Sequence, residues 1–364
     1  MKKFLYAVII VLAIAILADR LLKVYEKTEA ARETGLQRSA NPVLTAKQLE
    51  DYAAAAEYRL MPYMVFGLKP NFRSDTVNVN SLGLRGGEIK KKKESCYRIV
   101  VIGGSAVFGG SVPGDEMTFC GLLEKDLKIK YGKNIEVINA GVPAFISMQE
   151  LILLEDKIIA MEPDMIVIFD GFNDVLTILK REKRPNYPWW FSEIERIYYK
   201  SITKLFLEKR LQKYRPTKHI LKWINKMKEK TRETRYDINT EQIAFYRRNL
   251  DLMCHLAGSY GIKVVLVFQP VIMYKEFASP AEREMISSLD QDYLEALVKM
   301  CDLAKVSMRE VARDNNVSFI DGTKFFNGSK EYIFIDEVHF NQRGNKIVAD
   351  LLADRIFLEA PGKK

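Results

Sequence analysis

From Arg98 onward, short β-branched apolar runs alternate with longer amphipathic stretches, and this alternation constrains the fold more than any other feature. The runs are Ile99–Ile102, Ile135–Ile138, Met165–Phe169, Val264–Phe268 and Val317–Ile320. Each is short and almost continuously apolar, as a strand covered on both faces of a parallel sheet must be. Helical stretches fall near 116–131, 148–161, 240–259, 281–314 and 342–357. The pattern predicts an α/β domain built on five parallel strands with helices on both faces. Apolar residues make up 48% and charged residues 28% of the chain, which excludes a disordered, collagen-like or multi-span membrane protein. The four cysteines show no CxxC spacing, so neither a disulfide scaffold nor a structural zinc site is expected. They read most simply as buried thiols.

One segment breaks the alternation. Residues 180–235 carry a net charge of +12 and all three tryptophans, so the remainder nets −3 against the chain's +9. Ile194, Ile197, Tyr198, Ile202, Leu205 and Phe206 recur there at helical spacing among lysines. This is a basic amphipathic insert, either a solvated helical hairpin that caps the sheet or a surface suited to an anionic membrane or an anionic glycan. No nucleic-acid-binding motif accompanies the charge. The flanking stretches, 98–179 and 236–358, together have the size of a single domain.

The N-terminus reads as a targeting segment. Met1-Lys2-Lys3 precedes the apolar run Phe4–Ala18, which Leu21 and Leu22 extend past Asp19-Arg20. Fifteen residues at ~1.5 Å each fall short of a ~30 Å hydrocarbon core, which leaves a cleaved signal peptide open. The small-residue site at Ile16-Leu17-Ala18 is a mediocre one. The favoured reading is an uncleaved anchor over residues 1–22, with the bulk of the chain outside the cytoplasm. Residues 23–97 then read as a helical stem, Ala-rich around Tyr52–Glu57, followed by an extended lead-in.

In an open parallel sheet, ligands bind beyond the carboxyl ends of the strands, so the candidate residues are those at each strand end. The first leads into Gly103-Gly104-Ser105, a serine in a glycine-flanked turn before a helix. Alone this is weak, because most such serines are caps or turn residues. The spacing is not the GxSxG elbow, since Val107 holds the final glycine position. The second strand ends at Asn139-Ala140-Gly141, where Gly141 could offer its N–H to an oxyanion or merely allow a tight bend. The third ends at Gly171-Phe172-Asn173-Asp174; Asn173 supplies a neutral NH₂ donor, or a cap. Beyond the fifth come Asp336 and His339, three apart, a spacing that lets one turn bring the carboxylate to Nδ1 of the imidazole. The other histidines are weaker candidates. His219 lies in the insert, and His255 on an apolar helical stretch reads as a packing residue.

The order Ser105, Gly141, Asn173, Asp336/His339 resembles the SGNH (GDSL-type) hydrolase family, in particular its membrane-anchored members. Gly104 stands where the family usually has Asp. The lead-in Asn80–Gly86 is similar to the segment before the serine block in anchored members, and the resemblance gives it no mechanistic role. The fold implied is flavodoxin-like, a three-layer α/β/α sandwich over 98–358, interrupted by the insert. The chemistry implied is acyl transfer from an ester, without metal or organic cofactor. Ser105 attacks, His339 accepts its proton and Asp336 orients the imidazole. The Ser105 N–H, the Gly141 N–H and the Asn173 side chain hold the oxyanion. The resemblance supports the reaction type and not the substrate, for which a small acyl ester such as an O-acetyl group on a polysaccharide is expected. Two alternatives remain: an O-acetyltransferase acting on a cell-surface glycan with the same residues, and a non-catalytic envelope scaffold.

Overall fold

The computed structural model describes residues 46–55, 59–132, 134–180, 183–189, 191–192, 194–195, 236 and 238–356. The apolar run Phe4–Ala18, His219 and most of the basic insert lie outside these residues. Among the described residues no helix is long and apolar enough to cross a membrane. The sheet and the candidate site belong to the unit formed by residues 43–191 and 236–364.

The lead-in contains helix α1 (Ala46–Ala55) and a small antiparallel hairpin, β1 (Arg59–Met61) and β2 (Val65–Gly67). The main sheet follows: β3 (Tyr97–Gly103), β4 (Ile135–Gly141), β5 (Met165–Asp170), β6 (Lys263–Phe268) and β7 (Ser318–Asp321). All neighbouring pairs are parallel, in the order β4-β3-β5-β6-β7. This is the flavodoxin-like order, and the chain reverses its winding direction between β3 and β5. Side chains alternate across the sheet. Val100, Ile102, Ile166, Ile168 and Leu266 face one buried cluster. Ile99, Val101, Val167, Val265 and Val267 face the other.

The helices are α2 (Ser105–Phe108), α3 (Phe119–Tyr131), α4 (Ser147–Leu153), α5 (Phe172–Lys180), α6 (Thr240–Ser259), α7 (Pro280–Ser287), α8 (Gln291–Asp314) and α9 (Gln342–Arg355). Buried side chains of α3 and α9 join one cluster, and those of α6 and α8 the other, which completes three layers. Several boundaries differ from the sequence pattern, each for a local reason. The stretch 281–314 is two helices, because the Asp290 side chain accepts the Tyr293 N–H and starts a new one. The stretch 116–131 becomes α-helical only at Phe119, after Thr118 accepts the Gly121 N–H at 3.2 Å. The stretch 148–161 starts at Ser147 and loosens after Leu153 into a π turn and a 3₁₀ turn. Helix α5 has no counterpart in the sequence pattern and lies between the end of β5 and the insert.

His255 is a correction. It lies on the solvent side of α6, 68% exposed, with Nδ1 2.9 Å from the Asp251 carbonyl, so it packs against nothing in the core. Cys120, Cys254 and Cys301 are buried thiols, while Cys96 is half-buried. Burial pushes the Cys254 thiol up to about 12, which keeps it protonated and inert.

Candidate active site

Strands β3 and β5 end side by side, with Gly103 paired to Phe169, and each delivers a polar residue to the same edge of the sheet. Strand β3 runs into α2, whose first residue is Ser105. Strand β5 ends at Asp170, and Gly171, at φ 126°, turns the chain so that Asn173 lies in the first turn of α5. The third contributor is the loop before α9. Phe334 and Phe340 form an antiparallel bridge, Ile335 N–H donates to the His339 carbonyl and Asn341 N–H to that of Ile333. Asn341 then caps α9 by accepting the Gly344 N–H. Residues 336–339 are thereby held in one compact turn.

Within that turn Asp336 Oδ1 accepts the N–H groups of Val338 (2.9 Å) and His339 (2.8 Å). Its Oδ2 lies 2.6 Å from His339 Nδ1. His339 Nε2 lies 2.6 Å from Ser105 Oγ. The tautomer that satisfies all these atoms puts the proton on Nδ1, so that Nε2 accepts the Ser105 hydroxyl. Burial opposes the charge on Asp336, but His339 and the two backbone N–H groups outweigh it and hold the carboxyl below its ordinary range. Burial likewise opposes an imidazolium at His339, and the charge and hydrogen bond of Asp336 outweigh it and raise the ring above its ordinary value.

Asn173 is 7% exposed and donates from Nδ2 to the Phe145 carbonyl at 2.8 Å. A Cβ on Gly104 would lie 2.3 Å from that Nδ2. The glycine in place of the family's Asp is therefore what lets the Asn173 amide close against the serine turn. Gly141 sits deeper. Its N–H donates to Asn139 Oδ1 at 3.0 Å, so the donor expected of Gly141 is engaged inside the protein. A Cβ there would meet Phe108 N at 2.2 Å, so glycine is needed for α2 to pack on the end of β4. One backbone feature at this edge has no signal in the sequence, the conformation of Ala144. The turn after β4 is closed by Phe145 N–H to the Val142 carbonyl, with Val142 N–H donating to Gly103. Ala144 at its tip has φ 63°, uncommon for a residue with a Cβ, and is half-exposed beside the Asn173 contact. Nothing in an alanine signals this conformation in advance.

Behind Asn173 lies a polar pocket in the core. Asp174 accepts Ser147 through both its N–H (2.8 Å) and its hydroxyl (2.7 Å), and accepts the Gln242 amide at 3.1 Å. Asn249 bridges Ser147 to Asn186, which ties the root of the insert to the Asn173 helix. Burial pushes the Asp174 carboxyl up to about 6 despite these bonds. Burial, reinforced by neighbouring carboxylates, raises Glu150 and Asp170 well above the usual range. Among the described residues no group of His, Cys, Asp and Glu side chains has the geometry of a metal site.

No curated protein matches the chain by sequence. Among solved structures, the acetyl xylan esterase AlAXEase is 19% identical, covering 71% of this chain and 100% of its own, with a TM-score of 0.44. A lipase/acylhydrolase from Enterococcus faecalis is 20% identical, covering 72% and 99%, with a TM-score of 0.41. A catalytic mutant of an acetylxylan esterase from Geobacillus stearothermophilus is 16% identical, covering 72% and 95%, with a TM-score of 0.45. The GDSL-like lipase/acylhydrolase family model matches residues 99–352, well over half of the chain. The chain belongs to the GDSL-like lipase/acylhydrolase family of carboxylic ester hydrolases.

Proposed function

We propose that the protein is a serine esterase that removes small acyl groups, with O-acetyl groups on a polysaccharide as the first substrate to test. The observation that carries the reading is the continuous relay Ser105 Oγ–His339 Nε2–Nδ1–Asp336 Oδ2, each contact 2.6 Å. Ser105 attacks the ester carbonyl as its proton passes to Nε2. Asp336 keeps the ring in the required tautomer and stabilises the imidazolium. The oxyanion is held by the Ser105 N–H, by the second N–H of Asn173 Nδ2 and by the Ala144 N–H at the tip of the β4 turn. One such donor is worth ~3 kcal/mol of transition-state stabilisation. The imidazolium then protonates the leaving alcohol, and water, deprotonated in turn by His339, cleaves the acyl-enzyme.

In this reading residues 4–22 anchor the protein in a membrane and the catalytic domain is extracytoplasmic; the support is the Phe4–Ala18 run behind Lys2-Lys3. The test is turnover of p-nitrophenyl acetate and acetylated xylan by the full-length chain, together with labelling by a fluorophosphonate. Ser105→Ala is expected to abolish both with the circular dichroism spectrum unchanged. Equal labelling of the two proteins rejects Ser105 as nucleophile. Free acetate as the product marks hydrolysis; an acetylated glycan marks transfer.

A further inference from the structure

The lead-in Asn80–Gly86 precedes the segment that matches the family, yet its Arg85 reaches the turn that carries Ser105. Arg85 is 3% exposed. Its backbone pairs with Asn139 at the free edge of β4, which lays the lead-in along the sheet. From there Nη1 donates to the carbonyls of Phe108 and Gly109, both at 2.7 Å. The guanidinium carbon lies 5.0 Å from the centre of the Phe108 ring. Nε donates to Asp115 Oδ1 at 2.9 Å and Nη2 to the Thr76 carbonyl at 3.1 Å. Asp115 is itself fixed by Asn78 Nδ2 at 2.9 Å.

These contacts matter because α2 is a single turn of four residues. Its own ladder consists of Phe108 N–H to the Gly104 carbonyl and Gly109 N–H to that of Ser105. A turn this short does not hold its own position, since nucleation is not repaid by propagation. Its carbonyl end is instead capped by buried side chains: Arg85 on Phe108 and Gly109, and Asn139 Nδ2 on Val107 at 2.7 Å. The cation also sits at the helix end where carbonyl dipoles point, the favourable side for a positive charge.

We infer that Arg85 is a positioning residue for the nucleophile, setting where Ser105 Oγ stands relative to His339 by clamping the far end of the one-turn helix that carries it. The inference rests on the esterase reading above. A planar fork with five donors can bridge two carbonyls, a carboxylate and a third carbonyl at once, which an ammonium group cannot. A displacement of the attacking atom by about 1 Å lowers turnover on the order of a hundredfold without weakening substrate binding.

The experiment compares Arg85→Lys with Arg98→Lys in the full-length chain. Arg98 is an equally buried control at the opposite end of β3, bonded to Glu136 at 2.7 Å and to the Lys90 carbonyl at 2.7 Å. Turnover of p-nitrophenyl acetate, the rate of fluorophosphonate labelling and Tm are measured for each. Arg85→Lys is expected to lower kcat and the labelling rate together by at least tenfold, with KM within twofold of wild type. Arg98→Lys is expected to lower Tm and leave kcat within twofold. A kcat for Arg85→Lys within twofold of wild type, or an equal fall in both variants, overturns the inference. If Arg85→Lys does not fold, Asp115→Ala keeps the guanidinium and removes the acceptor that anchors it; a lowered kcat at unchanged KM supports the role, and an unchanged kcat overturns it. A wild-type protein inert toward ester and probe overturns the esterase reading itself, whereas an active wild type with an indifferent Arg85 overturns only the positioning role.

Discussion

His339 and Asp336 shift each other's titration, and the signs decide how the protein responds to pH. The ring is raised above its ordinary 6.5, so the neutral base that Ser105 requires is lost as pH falls through a value higher than that. The acid limb of kcat/KM is therefore expected to have its midpoint above 6.5. Asp336→Asn removes the two largest influences that raise the ring and leaves only the weaker charge of Glu337 against burial, which lowers it. The midpoint should move to lower pH while the plateau drops roughly 10³–10⁴-fold, because the tautomer is no longer fixed. A kcat/KM profile recorded for both proteins on a fast ester checks this, and an unmoved midpoint contradicts it. Stability follows by linkage. The depressed Asp336 contributes stability above its unfolded value near 3.8, lost as pH falls through the folded one. The raised His339 contributes below 6.5, lost as pH rises through its folded value. The pair therefore stabilises the fold most between those two limits. The three-residue spacing made this pair readable from the sequence. Ala144 was not readable, since its φ is set by the turn around it and leaves no mark on the residue type.

The elements that place the catalytic loop are held by a buried ion pair. Glu282, in the first turn of α7, is fully buried and accepts the N–H groups of Ile333 (3.0 Å), Phe334 (2.9 Å) and Ser279 (2.7 Å). Lys275 Nζ lies 2.6 Å from the same carboxylate and also donates to the Glu331 carbonyl. The segment 331–334 that leads into Asp336 and His339 thus hangs on two side chains from outside it. Removing one partner strands the other charge in the core, at a cost of about 3–5 kcal/mol. Glu282→Gln is accordingly expected to lower the free energy of unfolding by that amount, and adding Lys275→Met should recover at least ~1 kcal/mol of it. A double-mutant cycle by urea unfolding measures the coupling, and strict additivity would falsify the pairing. The same elements show where sequence patterning stops. The five strands are legible because burial on both faces leaves an uninterrupted apolar run. Helix α5 is not legible because Gly171–Asp174 carries turn residues and the charge run beginning at Lys180 cuts its apolar pattern short. Arg85 reaches Phe108, 23 residues away, and Glu282 reaches Phe334, 52 residues away. No local periodicity encodes such a reach.

For the whole molecule the dominant asymmetry is electrostatic. Residues 180–235 hold a net +12 while the rest of the chain nets −3, so the charge lies almost wholly in one segment. The root of that segment is joined to the site: Asn186 N–H donates to Gln242 Oε1 at 2.7 Å, and Gln242 donates to Asp174, the neighbour of Asn173. Arg184 adds a cation over the Tyr187 ring at 4.3 Å. A segment of this composition is drawn to a negatively charged surface, and each Lys or Arg held near an anionic membrane contributes ~1 kcal/mol. An acidic polysaccharide exerts the same attraction, and exposed charges are screened beyond ~8 Å at physiological ionic strength, so binding to either must weaken with salt. The expected result is that the chain lacking residues 1–22 sediments with vesicles containing phosphatidylserine, or is retained by an acidic polysaccharide, at low salt and is released at high salt. Charge reversal at Lys200, Lys204 and Lys209 should abolish that binding and leave p-nitrophenyl acetate turnover unchanged, because the proposed chemistry is carried by Ser105, His339 and Asp336. Retention on both surfaces after reversal, or on neither before it, means that the positive charge serves only to solvate the segment.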